Sequence, residues 1–277
     1  MKVIIESGAT KSEWRILSED GTEKRRFLKG GTNVSSMQLS TVCETLENAM
    51  KEEHLQEAKG IYLYTAGVVT EPIRDALVRT FRAFAAAAEI DIQNDLMGAA
   101  RGVCGHESGI VAILGTGSNT CFYDGQTISQ KVYSGGYVIG DEGSGAALGK
   151  LFLSDWIKDL VPAELRKKLE GEFDSSYSAI VDGVYHSSSP SGYLGSFVPL
   201  LLPHIDHPYV KGLIDKNFQD FIDRALARYD TAKYPVGIVG GFAWQLQDIL
   251  NNLLDKAGIR VARFVKAPID GLYRYHI

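Results

Sequence analysis

The chain has 277 residues, of which 45% are hydrophobic, and a formal net charge of −5. This apolar content suffices for an ordinary buried core, whereas the acidic balance lacks the basic footprint of nucleic-acid-binding proteins. No apolar run reaches the roughly 20 residues that a membrane-spanning helix needs. The three cysteines form neither a CxxC pair nor a disulfide framework, which favours a reducing cytoplasm.

Hydrophobic periodicity predicts alternating strands and helices in chain order. The predicted strands cover residues 3–5, 13–17, 24–28, 60–68, 90–92, 109–119, 120–123, 127–133, 237–239 and 261–265. The predicted helices cover residues 39–50, 73–81, 96–103, 148–160, 213–229 and 244–254, with a short helix after Pro268.

The order strand, strand, strand, helix, strand, helix, strand, helix occurs twice. This repetition predicts a duplicated α/β fold of two lobes with a hinged cleft, the first lobe at 1–108 and the second at 109–277. We also consider that the terminal helix, 268–277, packs back on the first lobe. An interruption of the second copy at about 172–207 is interpreted as a lid or a dimer-contact insertion.

Two glycine-rich loops each follow a short apolar strand and precede another strand. Glycines let backbone N–H groups approach an anion, while hydroxyl and ammonium groups add donors and charge. An ordinary hairpin turn is the alternative for the first loop. No GxxxxGK[ST] sequence occurs, which excludes a P-loop. The predicted phosphate-binding residues are Gly8, Ala9, Thr10, Lys11, Gly115, Thr116, Gly117 and Ser118.

One aspartate, Asp95, lies in the sequence between the two loops, where a short apolar stretch ends and a helix begins. At such a position an aspartate is commonly a helix N-cap. A carboxylate near two phosphate loops would instead suit a phosphotransferase. Both interpretations follow from the residues alone.

Four motifs together resemble one known family. Residues 6–14 (ESGATKSEW) are similar to its first phosphate motif and residues 114–119 (LGTGSN) to its second. Residues 136–150 contain its GDEGSG block, the most specific of the four, and residues 238–243 (IVGGFA) resemble its adenosine motif. The pattern is that of the N-acetylglucosamine kinase-like branch of the actin/hexokinase/Hsp70 superfamily, which includes the ATPase subunits of benzoyl-CoA reductase.

The resemblance implies a duplicated ribonuclease H-like, actin-like ATPase fold around a nucleotide cleft. It implies an ATP- and Mg²⁺-dependent kinase that phosphorylates N-acetylglucosamine at its 6-hydroxyl, with Asp95 as the general base. It also assigns binding roles. Sugar contacts fall on Asn33, Asp95, Gly136 and Asp141, adenosine contacts on Gly240, Gly241 and Ala243, and magnesium contacts on Glu6, through water, and on Glu142.

Some of these assignments compete with simpler ones. Asn33 also suits an ordinary turn, and Glu142 also suits the cap of the helix that begins near Ser144. Two residues depart from the family pattern: Glu6 stands where Asp is usual, and Gly135 stands where many relatives have Trp. Glu6 leaves open how well the protein binds magnesium, and Gly135 leaves open which sugar it binds.

Several functions therefore remain as alternatives. Glucosamine and N-acetylmuramate compete with N-acetylglucosamine as the acceptor. A second class is an ATPase that activates a reductase, although Cys43, Cys104 and Cys121 do not form an iron–sulfur ligand set. A third is a non-catalytic sugar or ATP sensor, motivated by Glu6. The resemblance is also compatible with a homodimer.

Overall fold

The structure is a computed structural model that describes residues 1–8, 11–34 and 37–277. The strands are β1 (Lys2–Ser7), β2 (Lys11–Leu17), β3 (Glu23–Gly30), β4 (Gly60–Thr65), β5 (Glu89–Asn94), β6 (Gly109–Leu114), β7 (Ser118–Tyr123), β8 (Ile128–Val132), β9 (Val236–Val239) and β10 (Val261–Val265). The α-helices are α1 (Leu39–Glu52), α2 (Glu71–Phe84), α3 (Asp95–Cys104), α4 (Gly136–Ile139), α5 (Gly145–Trp156), α6 (Ala163–Leu169), α7 (Tyr177–Tyr185), α8 (Pro190–Gly195), α9 (Val198–Leu201), α10 (Pro208–Arg224), α11 (Gly241–Gln245), α12 (Gln247–Lys256) and α13 (Ile269–Tyr275).

The strands form two sheets with the same layout. Within the described residues each sheet has five strands, in the orders β3-β2-β1-β4-β5 and β10-β9-β6-β7-β8. Read from β8, the second order matches the first strand for strand. This confirms the duplicated α/β fold that the sequence predicts.

Parallel pairing brings chemically useful residues to one edge of the first sheet. β1 pairs with β4 and β4 with β5 in parallel, so that Ser7, Thr65 and Asn94 lie side by side where the strands end. The second sheet repeats this arrangement, because β6, β9 and β10 are parallel and end together near Ile113, Val239 and Val265. Ligand-binding residues of open α/β sheets commonly lie at these carboxyl ends.

The chain divides into two compact units. Unit 1 contains Met1–Glu107, Tyr123–Ile128 and Ala267–Ile277, and unit 2 contains Ser108–Phe122 and Ser129–Lys266. The predicted boundary after residue 108 did not assign the β7–β8 turn, residues 123–128, to the first unit. In unit 1, α13 covers Ile4 and Tyr64 with its buried residues Ile269 and Leu272.

The core of unit 2 includes the segment that the sequence marks as an insertion. Leu194 and Phe197 are buried in the same cluster as Phe152 and Trp156 of α5. Phe173 contacts the rings of Phe152, Trp156 and Phe197 edge-on. The segment therefore contributes five buried side chains, Ile180, Leu194, Phe197, Val198 and Leu201, to the core of this unit, while its role as a lid or dimer contact stays a prediction.

Three predicted elements are interrupted in the structure. The helix predicted over 213–229 is α10, which ends at Arg224, followed by a short 3-10 helix over Leu226–Arg228. The strand predicted over 109–119 is β6 and the start of β7, because the N–H of Gly115 bonds the carbonyl of Gly117 at 3.0 Å and closes a turn. The helix predicted over 244–254 is α11 and α12, divided at Leu246. A search of the described residues for a helix long and apolar enough to cross a membrane found none.

Candidate active site

The first glycine-rich loop joins the antiparallel strands β1 and β2. The N–H of Gly8 donates to the carbonyl of Lys11 at 3.0 Å. Glu6 stands directly opposite Glu13 in the strand register. Two predicted phosphate contacts, Ala9 and Thr10, lie outside the described residues, so that Gly8 and Lys11 represent this loop here.

Negative charge accumulates around Glu6. The pKa of Glu6 is raised to about 7: burial has the largest effect, Glu13 and Asp95 also raise the pKa, and Lys11 lowers it. A cation at this position would relieve both the desolvation and the repulsion between carboxylates. Mg²⁺ takes oxygen ligands and usually keeps several waters, which accommodate the longer side chain of Glu. Glu6 therefore fits the predicted role beside magnesium.

The described residues do not, however, form a complete set of metal ligands by themselves. Among residues 1–8, 11–34 and 37–277, no three His, Cys, Asp or Glu side chains are grouped so as to hold a metal ion. Cys43 and Cys104 are half-buried and Cys121 is buried, and none of these three cysteines forms a disulfide.

Buried hydroxyls connect the first phosphate loop to the loop that carries Asn33. The Oγ of Ser7 accepts bonds from the N–H of Thr32 at 2.8 Å and from its Oγ1 at 2.7 Å. Thr65 Oγ1 donates to the Thr32 carbonyl at 2.7 Å. Asn33 follows directly, and its carbonyl accepts the N–H of Met37 at 3.0 Å. Sequence reasoning missed this network, whose only signal was hydroxyl residues at the ends of adjacent strands.

Asp95 is the first residue of α3, and Asn94 before it is the N-cap. Asn94 Oδ1 accepts the N–H of Met97 at 2.8 Å, so that the capping interpretation of Asp95 is wrong. Asp95 Oδ1 accepts the N–H of Leu96 at 2.9 Å. A helix N-terminus favours an ionised carboxylate, and the charge of Asp95 acts on Glu6. Unit 1 thus brings Glu6, Lys11 and Asp95 within electrostatic range of one another.

The second glycine-rich loop is held by the start of α5. The N–H of Gly145 donates to the Gly115 carbonyl at 2.9 Å, and the N–H of Ala146 to the Thr116 carbonyl at 3.0 Å. The first N–H groups of a helix lack intrahelical partners, and here the loop carbonyls satisfy them. The loop carbonyls therefore point at α5.

Asp141 of the GDEGSG block makes a third connection to this loop. Its Oδ1 accepts the N–H of Ser118 at 3.3 Å. Burial raises the pKa of Asp141, and the bonds from Ser118 and Ser134 together with the charge of Lys150 counteract that rise. The predicted sugar-binding carboxylate and the predicted phosphate loop are thus in direct contact within unit 2.

Gly136 and Glu142 lie on either side of Asp141, in different surroundings. Gly136 begins α4, and its carbonyl accepts the N–H of Gly140 at 2.8 Å. Glu142 Oε1 accepts a bond from Arg224 at 3.2 Å. The cap of α5 is Ser144, whose Oγ accepts the N–H of Ala147 at 3.1 Å, so that the capping interpretation of Glu142 is wrong. A metal-binding role for Glu142 stays a prediction.

A buried amide that the sequence analysis missed supports the same block. Asn217 of α10 is 1% exposed. Its Oδ1 accepts the N–H of Gly143 at 3.0 Å, and its Nδ2 donates to the Ser144 carbonyl at 3.0 Å. Both bonds fix the turn between Asp141 and α5.

The predicted adenosine motif lies against the second phosphate loop. Gly240 follows β9 with φ 131°, and a Cβ at this residue would lie 2.3 Å from the Leu114 carbonyl oxygen. Gly241 and Ala243 are in α11, which begins directly afterwards. Only glycine allows this backbone conformation and this close approach.

Comparisons with known proteins agree with the motifs. A solved structure from Porphyromonas gingivalis, described as a candidate N-acetylglucosamine kinase, is 31% identical and superposes with a TM-score of 0.92 over 100% of this chain and 98% of the other. A second candidate N-acetylglucosamine kinase, from Chromobacterium violaceum, is 21% identical, with a TM-score of 0.80 over 99% of each chain. The N-acetylmuramic acid/N-acetylglucosamine kinase of Clostridium acetobutylicum is 24% identical over 219 residues, 75% of this chain and 70% of the relative. No family model matches the chain.

The chain belongs to the N-acetylglucosamine kinase-like family. The 31% identity over nearly the whole of both chains decides this. Membership in this family, within the actin/hexokinase/Hsp70 superfamily, agrees with the duplicated fold. The structure also gives a physical reason for one departure from the N-acetylglucosamine kinase-like pattern: Gly135 has φ 77°, a left-handed conformation in which the usual Trp would be strained.

Proposed function

We propose that this protein transfers the γ-phosphoryl group of ATP to the 6-hydroxyl of N-acetylglucosamine. Membership in the N-acetylglucosamine kinase-like family supports the reaction class. The observation that carries the proposal is the direct bond between Asp141 and the second phosphate loop, because it connects a predicted acceptor contact with a predicted ATP contact. Glucosamine and N-acetylmuramate are the alternative acceptors, and the relative from Clostridium acetobutylicum motivates the latter.

ATP would be bound mainly through backbone groups. In unit 2, Gly115, Thr116, Gly117 and Ser118 are proposed to bind the phosphates. Gly240, Gly241 and Ala243 are proposed to bind the adenosine. In unit 1, Gly8, Ala9, Thr10 and Lys11 would add further phosphate contacts, and the ammonium group of Lys11 would attract the polyphosphate. Loops fixed in advance lose little conformational entropy when the nucleotide binds.

Asp95 is proposed to be the general base. Phosphoryl transfer depends mostly on positioning and charge stabilisation, so that the main task of this carboxylate is to orient the sugar hydroxyl and accept its proton. Asn33, Gly136 and Asp141 are proposed to bind the sugar together with Asp95. The hydroxyl network of Ser7, Thr32 and Thr65 supports Asn33 in this role.

Magnesium completes the proposal. Bound Mg²⁺ neutralises the charge that develops on the phosphate oxygens. Glu6 would hold it through water, and Glu142 is a second candidate contact. The raised pKa of Glu6, about 7, supports a cation here, since the carboxylate is poorly compensated by the protein alone.

The proposal also covers the cellular location and the partners of the protein. We place it in the cytoplasm, because proteins of a reducing compartment rarely contain disulfides and the three cysteines of this chain form none. We also propose a homodimer and no nucleic-acid partner. Light scattering after size-exclusion chromatography measures the first, and a filter-binding assay with duplex DNA checks the second.

The deciding experiment is a screen for ADP formation with Mg²⁺. The acceptors are N-acetylglucosamine, glucosamine, N-acetylmuramate, glucose and no sugar. We expect turnover that requires a sugar, is fastest with N-acetylglucosamine and disappears with EDTA. ADP formation at the same rate with and without sugar would favour an ATPase activator. A coloured purified protein would then indicate the iron–sulfur cluster of such an activator. Binding of sugar and ATP without turnover would favour the sensor.

A further inference from the structure

The proposed acceptor loop, residues 134–141, has few contacts of its own to hold it in shape. Gly136 and Asp141 have positive φ angles of 71° and 57°. Val138 and Ile139 are 67% and 80% exposed and contribute little burial. Inside the loop, the N–H of Gly140 bonds the Gly136 carbonyl at 2.8 Å, and the N–H of Asp141 bonds the Ser134 carbonyl at 3.1 Å.

One cationic side chain from outside the loop bonds its backbone. Lys150, on α5, donates from Nζ to the Tyr137 carbonyl at 2.9 Å and lies 3.5 Å from the Val138 carbonyl. These carbonyls belong to the short helix α4, and carbonyls at the end of a helix attract cations. Bonds from a charged donor are roughly twice as strong as neutral ones.

Asp141 belongs to the same stretch of backbone. Its N–H bonds the Ser134 carbonyl at 3.1 Å and closes the loop that Lys150 bonds at Tyr137. Lys150 therefore stabilises the backbone that carries both Gly136 and Asp141.

We propose that Lys150 is a positioning residue for the acceptor sugar: its bond to the Tyr137 carbonyl fixes α4, so that Gly136 and Asp141 meet the sugar in one geometry. This inference rests on the proposed sugar kinase function. Lys150 itself touches neither the reacting hydroxyl nor the phosphate in this account. Its loss should therefore weaken acceptor binding rather than the chemical step.

A purely structural role would look different. The face of α5 that enters the core is apolar and contains Leu148, Phe152, Leu153 and Trp156, whereas Lys150 is only half-buried. Removal of the ammonium group leaves those contacts in place. We therefore expect Lys150→Met to fold with nearly the wild-type melting temperature.

The test compares Lys150→Met, Lys150→Arg and a control, Lys158→Met. Lys158 follows α5, and its ammonium group bonds the Ser154 hydroxyl at 3.1 Å, which makes it a matched lysine on the same part of the fold. For Lys150→Met we expect the KM for N-acetylglucosamine to rise at least tenfold, with kcat and the KM for ATP within about twofold. Lys150→Arg should recover most of the sugar affinity, and Lys158→Met should match wild type.

Amide hydrogen exchange measured by mass spectrometry provides a readout without turnover. Exchange in residues 134–141 should be faster in Lys150→Met and unchanged in Lys158→Met. Unchanged sugar KM and unchanged exchange would overturn the inference, and so would an equal loss of kcat, ATP affinity and thermal stability. If the wild type forms ADP at the same rate with and without each sugar, the proposed function and this inference are both refuted. If ADP formation depends on the sugar but is unaltered in Lys150→Met, this inference alone is refuted.

Discussion

Unit 1 brings carboxylates close together, whereas unit 2 brings backbone amides and carbonyls together. In unit 1, burial and the neighbouring carboxylates Glu13 and Asp95 together raise the pKa of Glu6 to about 7, against the charge of Lys11. In unit 2, the second phosphate loop is held by N–H groups of α5 and by the bond from Ser118 to Asp141. Corresponding loops of the duplicated fold thus differ in their surroundings: carboxylate charges dominate in unit 1, and backbone hydrogen bonds dominate in unit 2.

Because of this difference, we expect mutations in the two units to affect different properties of the protein. A change of charge in unit 1 alters the proton and metal chemistry while most of the fold is kept. An added atom at Gly240, beside the loop in unit 2, would move the backbone itself, because a Cβ there would lie 2.3 Å from the Leu114 carbonyl oxygen. Mutations in unit 1 should therefore act mainly on kcat, and mutations in unit 2 mainly on binding and stability.

The largest expected effect is that of Asp95→Asn in unit 1. Loss of the general base should lower kcat by roughly 10² to 10⁴, while sugar and ATP binding are kept. Steady-state kinetics and calorimetric titration measure both quantities. Asp75→Asn, on the exposed face of α2, is the control and should match wild type. Near-normal turnover of Asp95→Asn would mean that Asp95 is not the base.

Next in size is Gly240→Ala in unit 2. The added Cβ would lie 2.3 Å from the Leu114 carbonyl oxygen in a backbone conformation open only to glycine, which costs about 1–3 kcal/mol or more. Thermal unfolding should show a lower Tm, and the KM for ATP should rise because Leu114 leads into the phosphate loop. Gly212→Ala, in the exposed interior of α10 with nothing within 4 Å, should stabilise by up to about 1 kcal/mol. Equal effects of the two mutations would contradict the tight packing of unit 2.

Replacement of Glu6 tests whether the negative charge of this one side chain in unit 1 supports magnesium-dependent activity. Glu6→Asp keeps the charge and should preserve or raise activity, with the Mg²⁺ requirement unchanged. Glu6→Gln removes the charge and should be worse than Glu6→Asp, by roughly tenfold, the size of one lost charge-assisted bond. Magnesium titrations of kcat/KM distinguish the two. A severe loss in Glu6→Asp would show that the site depends on the longer side chain.

A smaller effect concerns pH and His276, the half-buried residue that directly follows α13. His276 Nε2 lies 2.8 Å from the Tyr64 hydroxyl, and its ring stacks on Tyr62. The pKa of His276 is lowered from 6.5 to about 4, chiefly by desolvation and also by Arg101 and Lys2, against Asp91. Between these pH values the folded state binds fewer protons than the unfolded state, so that stability falls as pH drops from 6.5 towards 4, on the order of 2 kcal/mol.

His276→Gln should make that dependence shallower, because glutamine does not titrate. His186→Gln provides the control, since His186 is exposed and pairs with Asp182 on the surface. Urea unfolding at several pH values measures the slopes. An unaltered slope in His276→Gln would show that this histidine is not desolvated.

The sequence predicted those parts of the site that depend on neighbours in the chain. Both glycine loops, the start of α3 at Asp95 and the GDEGSG turn are local patterns, and parallel pairing then puts strand ends at one edge. Even so, the sequence offered a cap of α3 only as an alternative role of Asp95 and did not identify Asn94 as the cap. Asp95 and Asn94 both suit a cap, and only the bond from Met97 to Asn94 distinguishes them.

Contacts between distant residues could not be predicted in this way. The bond from Thr32 to Ser7 joins residues 25 apart, the bond from Gly143 to Asn217 residues 74 apart, and the pair of Arg224 and Glu142 residues 82 apart. Periodicity identifies which face of a helix is buried, but not which buried group it meets. The burial of Leu194 and Phe197 of the predicted insertion in the unit 2 core was missed for the same reason.

The most direct test of the central claim uses two acceptors that differ by one oxygen. The protein is incubated with ATP, Mg²⁺ and either N-acetylglucosamine or its 6-deoxy analogue, and the products are followed by phosphorus NMR. We predict a sugar 6-phosphate and stoichiometric ADP with N-acetylglucosamine, and only background ADP with the analogue. Equal ADP formation with both sugars, or a phosphate on another hydroxyl, would contradict the account.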